Sequence, residues 1–188
     1  MSETAVRTHR FTAEAYHRMG EAGILPPDGR FELIGGEIVE MSPIGSAHAA
    51  VVSYLNRLLM RQVGNNALVW VQNPLWLDEL HEPQPDLALL RPRADDYAAH
   101  LPGPDDCLLV IEVADTSLTY DRDTKTPLYG AAGVPEVWLV DLEGRHVLRY
   151  TNAAPSGYRD CHRAESPEEL RAAALPEVAV ALDRLFPA

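Results

Sequence analysis

The sequence predicts an α/β fold in which a mixed sheet is flanked by helices. Two short apolar runs, residues 85–90 and 107–114, are typical of buried strands. A run with helical spacing precedes them over residues 46–63, and a second predicted helix over residues 121–132 separates them from a third buried strand, residues 136–141. Strands and helices therefore alternate, and the helices are expected to cover the sheet.

The N-terminal half contains two further predicted elements and one interrupted strand. Thr12 is a suitable N-cap for a helix that runs to about Glu21. Two apolar-alternating runs on either side of Gly35-Gly36 predict a hairpin over residues 30–41. Residues 68–77 are predicted to form a long strand that is interrupted or bulged at Pro74, because proline cannot donate to a sheet.

The C-terminal half is predicted to extend the sheet. Residues 146–150 and 158–163 are predicted strands, the second at an edge, and residues 91–106 form a long surface loop. Pro167 is placed to begin a helix over the residues that follow it. The terminal residues 182–186 are expected to pack back onto the body. Asp121 is the predicted cap of the helix that follows the second buried strand.

Length and composition favour one globular domain spanning residues 1–188, with residues 1–10 flexible. Hydrophobic residues make up 46% of the chain, yet no apolar run approaches the roughly 18 residues of a membrane span. The N-terminus lacks a basic-then-apolar signal pattern, so a cytoplasmic location is expected. Cys107 and Cys161 are too few for a disulfide framework and lack metal-ligand spacing.

The net charge of −12 limits the possible partners. Non-specific nucleic-acid binding depends on neutralising phosphates with basic side chains, and an acidic chain lacks that contribution globally. The charge therefore argues against a protein that coats DNA. It leaves open a metal-dependent nuclease that has a local basic rim.

Each of the first two predicted strands carries one carboxylate. Asp86 stands at the beginning of one strand, and Glu112 stands near the end of the other. Burying an ionised carboxylate is unfavourable without a partner, and a divalent cation is an effective partner. Asp86, Glu112 and the Val113 carbonyl could bind Mg²⁺ or Mn²⁺, and Lys125 could orient a water molecule or bind phosphate. This set predicts a metal site that cleaves phosphodiesters.

Simpler interpretations exist for each of these residues. Asp86 could be an ordinary turn residue, and a glutamate near a strand end, such as Glu112, often faces solvent. Asp121 and Lys125 are four residues apart on a predicted helix, so they could form a surface ion pair. The combination is more specific than any of its members.

The residues also resemble a known family. Pro85-Asp86, the Ile111-Glu112-Val113 strand and Lys125 resemble the PD-(D/E)XK nuclease superfamily, and the chain is similar to its Uma2 family of restriction-endonuclease-like proteins. The runs that carry the family resemblance are 31–37, 41–43 with His48, 84–86, 112–113, Asp121-x-x-x-Lys125-x-x-x-Tyr129, and 133–141. The resemblance implies a restriction-endonuclease-like core and a Mg²⁺-dependent nuclease site.

One position departs from the superfamily pattern. The pattern places a lysine two residues after the glutamate, where this chain has Ala114. The resemblance implies that the amine has moved to Lys125 on the following helix. It also implies that an upstream acid completes the metal shell, with Glu32 as the matching position and Glu37 as the alternative.

Two further residues are candidates for contacts with substrate. Tyr129 follows Lys125 by one helical turn and shares its face, so it either contacts substrate or packs in the core. His48, near the start of a predicted helix, could contact phosphate or carry a proton, although a structural histidine is the more frequent case.

Three functions fit the sequence. The first is an endonuclease that cuts DNA through Asp86, Glu112, Lys125 and Glu32. The second is a binding or regulatory module that keeps the nuclease fold without turnover. The third is a metal-dependent hydrolase of a small phosphorylated substrate. Since cutting both strands of a duplex usually requires two active sites, a homodimer is expected for the first.

Overall fold

The computed structural model describes residues 8–186 and contains a six-stranded mixed sheet with helices on both sides. The strands are β1 (Phe31–Ile34), β2 (Glu37–Glu40), β3 (Leu68–Val71), β4 (Leu87–Leu90), β5 (Cys107–Ala114), β6 (Glu136–Asp141), β7 (His146–Ala154), β8 (Gly157–Glu165), β9 (Glu169–Arg171) and β10 (Ala179–Ala181). The helices are α1 (Ala13–Glu21), α2 (Ser46–Val63), α3 (Leu118–Tyr120), α4 (Thr126–Ala132) and α5 (Leu182–Leu185).

The large sheet has the strand order β3-β4-β5-β6-β7-β8. All neighbours in it are antiparallel except β5 and β6, which are parallel. A parallel pair needs a crossover, and here α3, a π-helical segment Asp121–Lys125 and α4 provide it. β1 and β2 form a separate hairpin, and β9 and β10 form a second two-stranded sheet. The predicted mixed sheet flanked by helices is confirmed.

Apolar side chains fill both sides of the sheet. On one side, α2 packs Leu55 and Leu59 against β5 residues such as Ile111, and the C-terminal residues 178–186 join the same cluster. On the other side, Tyr129 of α4 packs with Val110 and other apolar residues. Successive residues of β5 therefore point to opposite sides, and Glu112 shares the side of Val110.

Strand register brings the two predicted carboxylates together. Leu87 of β4 lies opposite Ile111 of β5 in an antiparallel pair. The residue before Leu87 is therefore beside the residue after Ile111, so Asp86 and Glu112 are neighbours at one end of the sheet. No helix within residues 8–186 is long and apolar enough to cross a membrane.

Several predicted elements are confirmed with small shifts in their ends. The first helix, the hairpin at Gly35-Gly36 and the helix over residues 46–63 form as expected. The edge strand predicted over residues 158–163 is β8, and the terminal segment packs back as α5. The predicted flexibility of residues 1–7 falls outside the described residues, and residues 8–10 are exposed coil.

Two predictions about where elements begin or end were wrong. β3 ends at Val71, well before Pro74, because Gln72 adopts a positive φ of 49° and turns the chain out of the sheet. The crossover helix begins at Leu118, so Asp121 lies inside it and does not cap it.

The helix predicted after Pro167 was also wrong. Residues 169–171 form strand β9, which pairs with β10 and buries Leu170 between two exposed neighbours. The apolar contacts of Leu170 and the pairing with β10 therefore outweigh the local preference for a helix.

Candidate active site

A cavity of about 280 Å³ opens at the end of the sheet where Asp86 and Glu112 meet. The hairpin and the loop that leads into α2 form one wall, and the ends of β4 and β5 with residues 115–121 form the other. The lining residues are Arg30, Val39, Glu40, Met41, Ser42, Pro43, Ile44, Gly45, His48, Gln84, Asp86, Glu112, Val113, Asp115, Thr116, Ser117, Tyr120, Asp121 and Lys125.

Asp86 is held by three donors. Its Oδ2 accepts a hydrogen bond from the Val113 backbone N–H at 2.9 Å and lies 2.9 Å from His48 Nε2. Its Oδ1 accepts only a long hydrogen bond from Gln72, at 3.3 Å. Burial raises the pKa of Asp86, but His48, Val113 and Gln72 together outweigh burial and lower it. Asp86 is therefore a stable anion at neutral pH.

Glu112 is more deeply buried, with 2% of its surface exposed. Its Oε1 accepts a hydrogen bond from the Tyr129 hydroxyl at 2.7 Å and lies 2.7 Å from Lys125 Nζ. Its Oε2 has only a 3.4 Å contact from the Asp86 backbone N–H. Burial raises the pKa of Glu112 to about 8, against the opposing attraction of Lys125. Burial thus makes the Glu112 anion costly, and the Lys125 ammonium beside it offsets only part of that cost.

Lys125 lies on the π-helical segment and reaches the same point. Its Nζ lies 2.7 Å from Glu112 Oε1 and 2.9 Å from Glu32 Oε1, and the side chain is 1% exposed. Burial alone would lower the pKa of Lys125, but Glu112, Glu32 and Asp121 outweigh burial and raise it. Lys125 is therefore held as an ammonium, and its amine lies beside Glu112. π-Helical turns are often found at functional sites.

Glu32 lies beside Lys125, and it is not among the described residues that line the cavity. Its Oε1 accepts a hydrogen bond from the Gln84 backbone N–H at 2.8 Å as well as contacting Lys125, and its buried Oε2 has no hydrogen-bond partner among residues 8–186. The alternative acid, Glu37, is exposed at the start of β2. These contacts favour a role for Glu32 in positioning Lys125 over a role as a direct metal ligand.

The two predicted substrate contacts have different surroundings. His48 lines the cavity and contacts Asp86 directly. Tyr129 has no exposed surface and donates its hydroxyl hydrogen to Glu112. In this arrangement Tyr129 is packed behind Glu112, which matches the core-packing alternative better than a substrate contact.

The cavity also contains residues that the sequence analysis did not assign to the site. Asp121 accepts a hydrogen bond from the Ser117 hydroxyl, and burial raises its pKa. Since Lys125 contacts two glutamates, the surface ion pair considered for Asp121 and Lys125 is replaced by buried contacts. Arg30 and Asp115 line the cavity from opposite parts of the chain. The family spacing includes Asp121, whereas nothing in the local pattern marks Arg30 or Asp115, because long-range packing brings these two to the cavity.

The donor set fits a hydrated magnesium ion. Among residues 8–186, no group of three or more His, Cys, Asp or Glu side chains has the arrangement of a complete metal cage. Magnesium does not require one, because it keeps several waters and often binds through one or two carboxylates and a substrate phosphate. Asp86 Oδ1 and Glu112 Oε2 are the less strongly bonded oxygens of their two carboxylates, with donors at 3.3 and 3.4 Å, and both residues line the cavity.

Comparisons with known proteins bear on the fold and the family of the chain. A solved structure titled "Crystal structure of a putative nuclease belonging to DUF820 from Anabaena variabilis ATCC 29413 at 1.96 A resolution" is 17% identical in sequence, with a TM-score of 0.73. The match covers 94% of this chain and 97% of that chain, and it supports the fold. A comparison with curated proteins found no match. Residues 13–183 match the Uma2 family, which is described as "Putative restriction endonuclease". The chain therefore belongs to the Uma2 family of restriction-endonuclease-like proteins.

Proposed function

We propose that this protein is a metal-dependent endonuclease that hydrolyses phosphodiester bonds in DNA, with Mg²⁺ or Mn²⁺ as its cofactor. The observation that carries the proposal is the meeting of Asp86, Glu112 and Lys125 at one cavity, although the three residues come from three separate segments of the chain. Family membership supports a nuclease as the general class.

Asp86 and Glu112 would hold the ion through Asp86 Oδ1 and Glu112 Oε2. The Val113 carbonyl is the proposed third ligand, because the Val113 N–H already faces Asp86 and the carbonyl of a strand residue points to the same side as its N–H. When bound, the ion lowers the pKa of water and stabilises negative charge that develops on the phosphate. His48 contacts Asp86 Oδ2 and so leaves Oδ1 with only the long hydrogen bond from Gln72 among the described residues.

Lys125 would place a positive charge beside Glu112, where it donates a hydrogen bond to the attacking water or to a phosphate oxygen. Glu32 positions this amine through the 2.9 Å contact. Tyr129 fixes the Glu112 carboxyl group through its hydroxyl. In this proposal Asp86, Glu112 and Lys125 are catalytic residues, whereas Glu32 and Tyr129 are positioning residues.

Duplex cleavage would require two such sites, and we propose that the protein acts on duplex DNA as a homodimer in the cytoplasm. A monomer would nick one strand at a time. Comparing nicked and linear plasmid products at protein concentrations above and below the dimerisation range tests this part separately.

The direct test is incubation of the purified protein with plasmid and single-stranded DNA in the presence of Mg²⁺ or Mn²⁺. We expect cleavage by the native chain and its loss in Asp86→Ala. No cleavage by the native chain, or equal cleavage by the variant, would overturn the proposal and favour a nuclease-fold binding module. Calorimetric titration with Mn²⁺ tests the metal site without a substrate, and binding should be lost in Glu112→Gln.

A further inference from the structure

We propose that Arg30 binds the substrate phosphate next to the one that is cleaved. This inference rests on the proposed function and names a residue for a phosphate contact that neither the sequence pattern nor the family match assigns. Arg30 directly precedes β1 and lines the cavity from the hairpin wall.

The charges around the cavity single out Arg30. The carboxylates that line it are Glu40, Asp86, Glu112, Asp115 and Asp121. The lining cations are Arg30 and Lys125, and Lys125 is already engaged by Glu112 and Glu32. His48 is engaged by Asp86.

Arg30 differs from these groups because its guanidinium has no partner within residues 8–186. None of the ion pairs or side-chain hydrogen bonds of the described chain includes it, although its backbone carbonyl accepts from Met41 N–H at 2.8 Å. An arginine that is partly buried without an acceptor retains its full donor capacity. Phosphate oxygens match the planar fork of a guanidinium in two parallel hydrogen bonds.

The position of Arg30 indicates a neighbouring phosphate. The cleaved phosphate must contact the ion that Asp86 and Glu112 are proposed to hold. Within the described chain Arg30 forms no ion pair with either of these carboxylates, and it lines the cavity from the segment just before β1, whereas they come from the ends of β4 and β5. A strand that enters the cavity between the two walls would therefore present its next phosphate to Arg30.

The contact between Arg30 and a phosphate would also help an acidic chain to bind DNA. The net charge of −12 repels DNA at long range, so affinity must come from local contacts such as this one and the metal. A contact of this kind changes binding more than the chemical step, because it is the same in the ground state and in the transition state.

The test measures binding of a fluorescent duplex oligonucleotide by anisotropy, with Ca²⁺ replacing Mg²⁺, over a series of salt concentrations. Arg30→Gln should raise Kd about tenfold and reduce the slope of log Kd against log salt by about 0.9, which corresponds to one lost phosphate contact. Arg30→Lys should leave the salt dependence of Kd unchanged and lower the affinity only about threefold. Lysine keeps the positive charge but cannot donate the two parallel hydrogen bonds of a guanidinium.

Arg61→Gln is the matched control, since Arg61 is an exposed residue of α2 that does not line the cavity. It makes the same change in net charge and should alter Kd less than twofold. Equal effects of Arg30→Gln and Arg61→Gln, or no oligonucleotide binding at all, would overturn the inference. Binding that depends on Arg30 without cleavage in Mg²⁺ would support Arg30 and overturn the proposed nuclease activity.

Discussion

Glu112 and Glu136 are buried glutamates on neighbouring parallel strands, but their surroundings differ. Glu136 Oε1 accepts hydrogen bonds from Trp138 Nε1 at 2.8 Å and Arg149 Nε at 2.6 Å, and Oε2 accepts one from the Ala173 N–H at 2.7 Å. Glu112 likewise shares its Oε1 between two donors, but its Oε2 lies 3.4 Å from the Asp86 N–H, where Glu136 Oε2 has a donor at 2.7 Å.

These hydrogen bonds indicate that Glu136 has a structural role, whereas Glu112 has an oxygen that can bind an additional partner. Buried polar groups are normally satisfied, and a poorly satisfied one in a native fold calls for an explanation such as catalysis or a missing ion. Glu136 begins β6, at the opposite end of the sheet from the cavity, whereas Glu112 lies near the end of β5 and lines it. Substitutions at the two positions should therefore affect different properties.

The largest expected effect is on activity in Glu112→Gln. We expect cleavage to fall about 10³-fold, because the ion loses one of its two carboxylate ligands and the developing charge loses stabilisation. The fold should persist, since glutamine keeps the shape of the side chain and does not have to be buried as an anion. Initial cleavage rates with Mg²⁺, together with circular dichroism spectra, measure both quantities. Native-level cleavage would remove Glu112 from the mechanism.

The reciprocal substitution, Glu136→Gln, should reverse the pattern. We expect a loss of about 2–3 kcal/mol in the free energy of unfolding. Glutamine has one amide N–H₂ where glutamate has a second oxygen, so one of the three donors now at Glu136 would face another donor instead of an acceptor. Cleavage per folded molecule should stay within twofold of the native rate. Urea unfolding measures the first quantity. A drop in cleavage as large as that of Glu112→Gln, without unfolding, would mean that the two acids are not functionally distinct.

The candidate site residues could be named from the sequence, whereas the contacts that hold them in place could not. Asp86 and Glu112 were recognisable because a carboxylate interrupts or flanks each apolar strand, and Lys125 because the family resemblance offered a position for the missing amine. The bond from Tyr129 to Glu112 and the contact of Glu32 with Lys125 depend on how α4 and the hairpin pack against the sheet. Such contacts join residues 17 and 93 positions apart, and no local pattern encodes them.

The helix that was wrongly predicted after Pro167 also reflects contacts between residues that are distant in the chain. Its local signals favour a helix, but Leu170 gains a buried position only when residues 169–171 pair with β10. Arg30 was missed as well, because its place in the cavity follows from the docking of the hairpin and not from its neighbours in sequence. Pairing and docking partners that are distant in the chain thus account for both errors.

The pH dependence of stability should also distinguish the two glutamates. Without divalent ions, the folded-state pKa of Glu112, about 8, exceeds its ordinary value of 4.5. A raised folded-state pKa gives a contribution that is complete below pH 4.5 and is lost as the pH rises through 8. We therefore expect the free energy of unfolding to decrease by up to about 1.4 kcal/mol per pH unit between pH 5.5 and 7.5 from this group.

Glu112→Gln should remove that part of the slope, and Glu136→Gln should leave it unchanged. Urea unfolding in EDTA at several pH values measures the three slopes. Equal slopes in the native protein and Glu112→Gln would show that Glu112 is ionised throughout this range, held so by Lys125.

The smallest expected effect concerns the hydroxyl that supports Glu112. Tyr129→Phe removes one hydrogen bond to a carboxyl oxygen and should lower the free energy of unfolding by about 1 kcal/mol. We also expect kcat to fall several-fold, because Glu112 gains rotational freedom, while KM stays constant. Tyr158→Phe is the matched control, since the Tyr158 hydroxyl donates to the Val134 carbonyl at 2.7 Å outside the cavity. It should lose similar stability without losing kcat. A rise in KM confined to Tyr129→Phe would instead favour a direct contact between Tyr129 and substrate, and would require α4 to move when DNA binds.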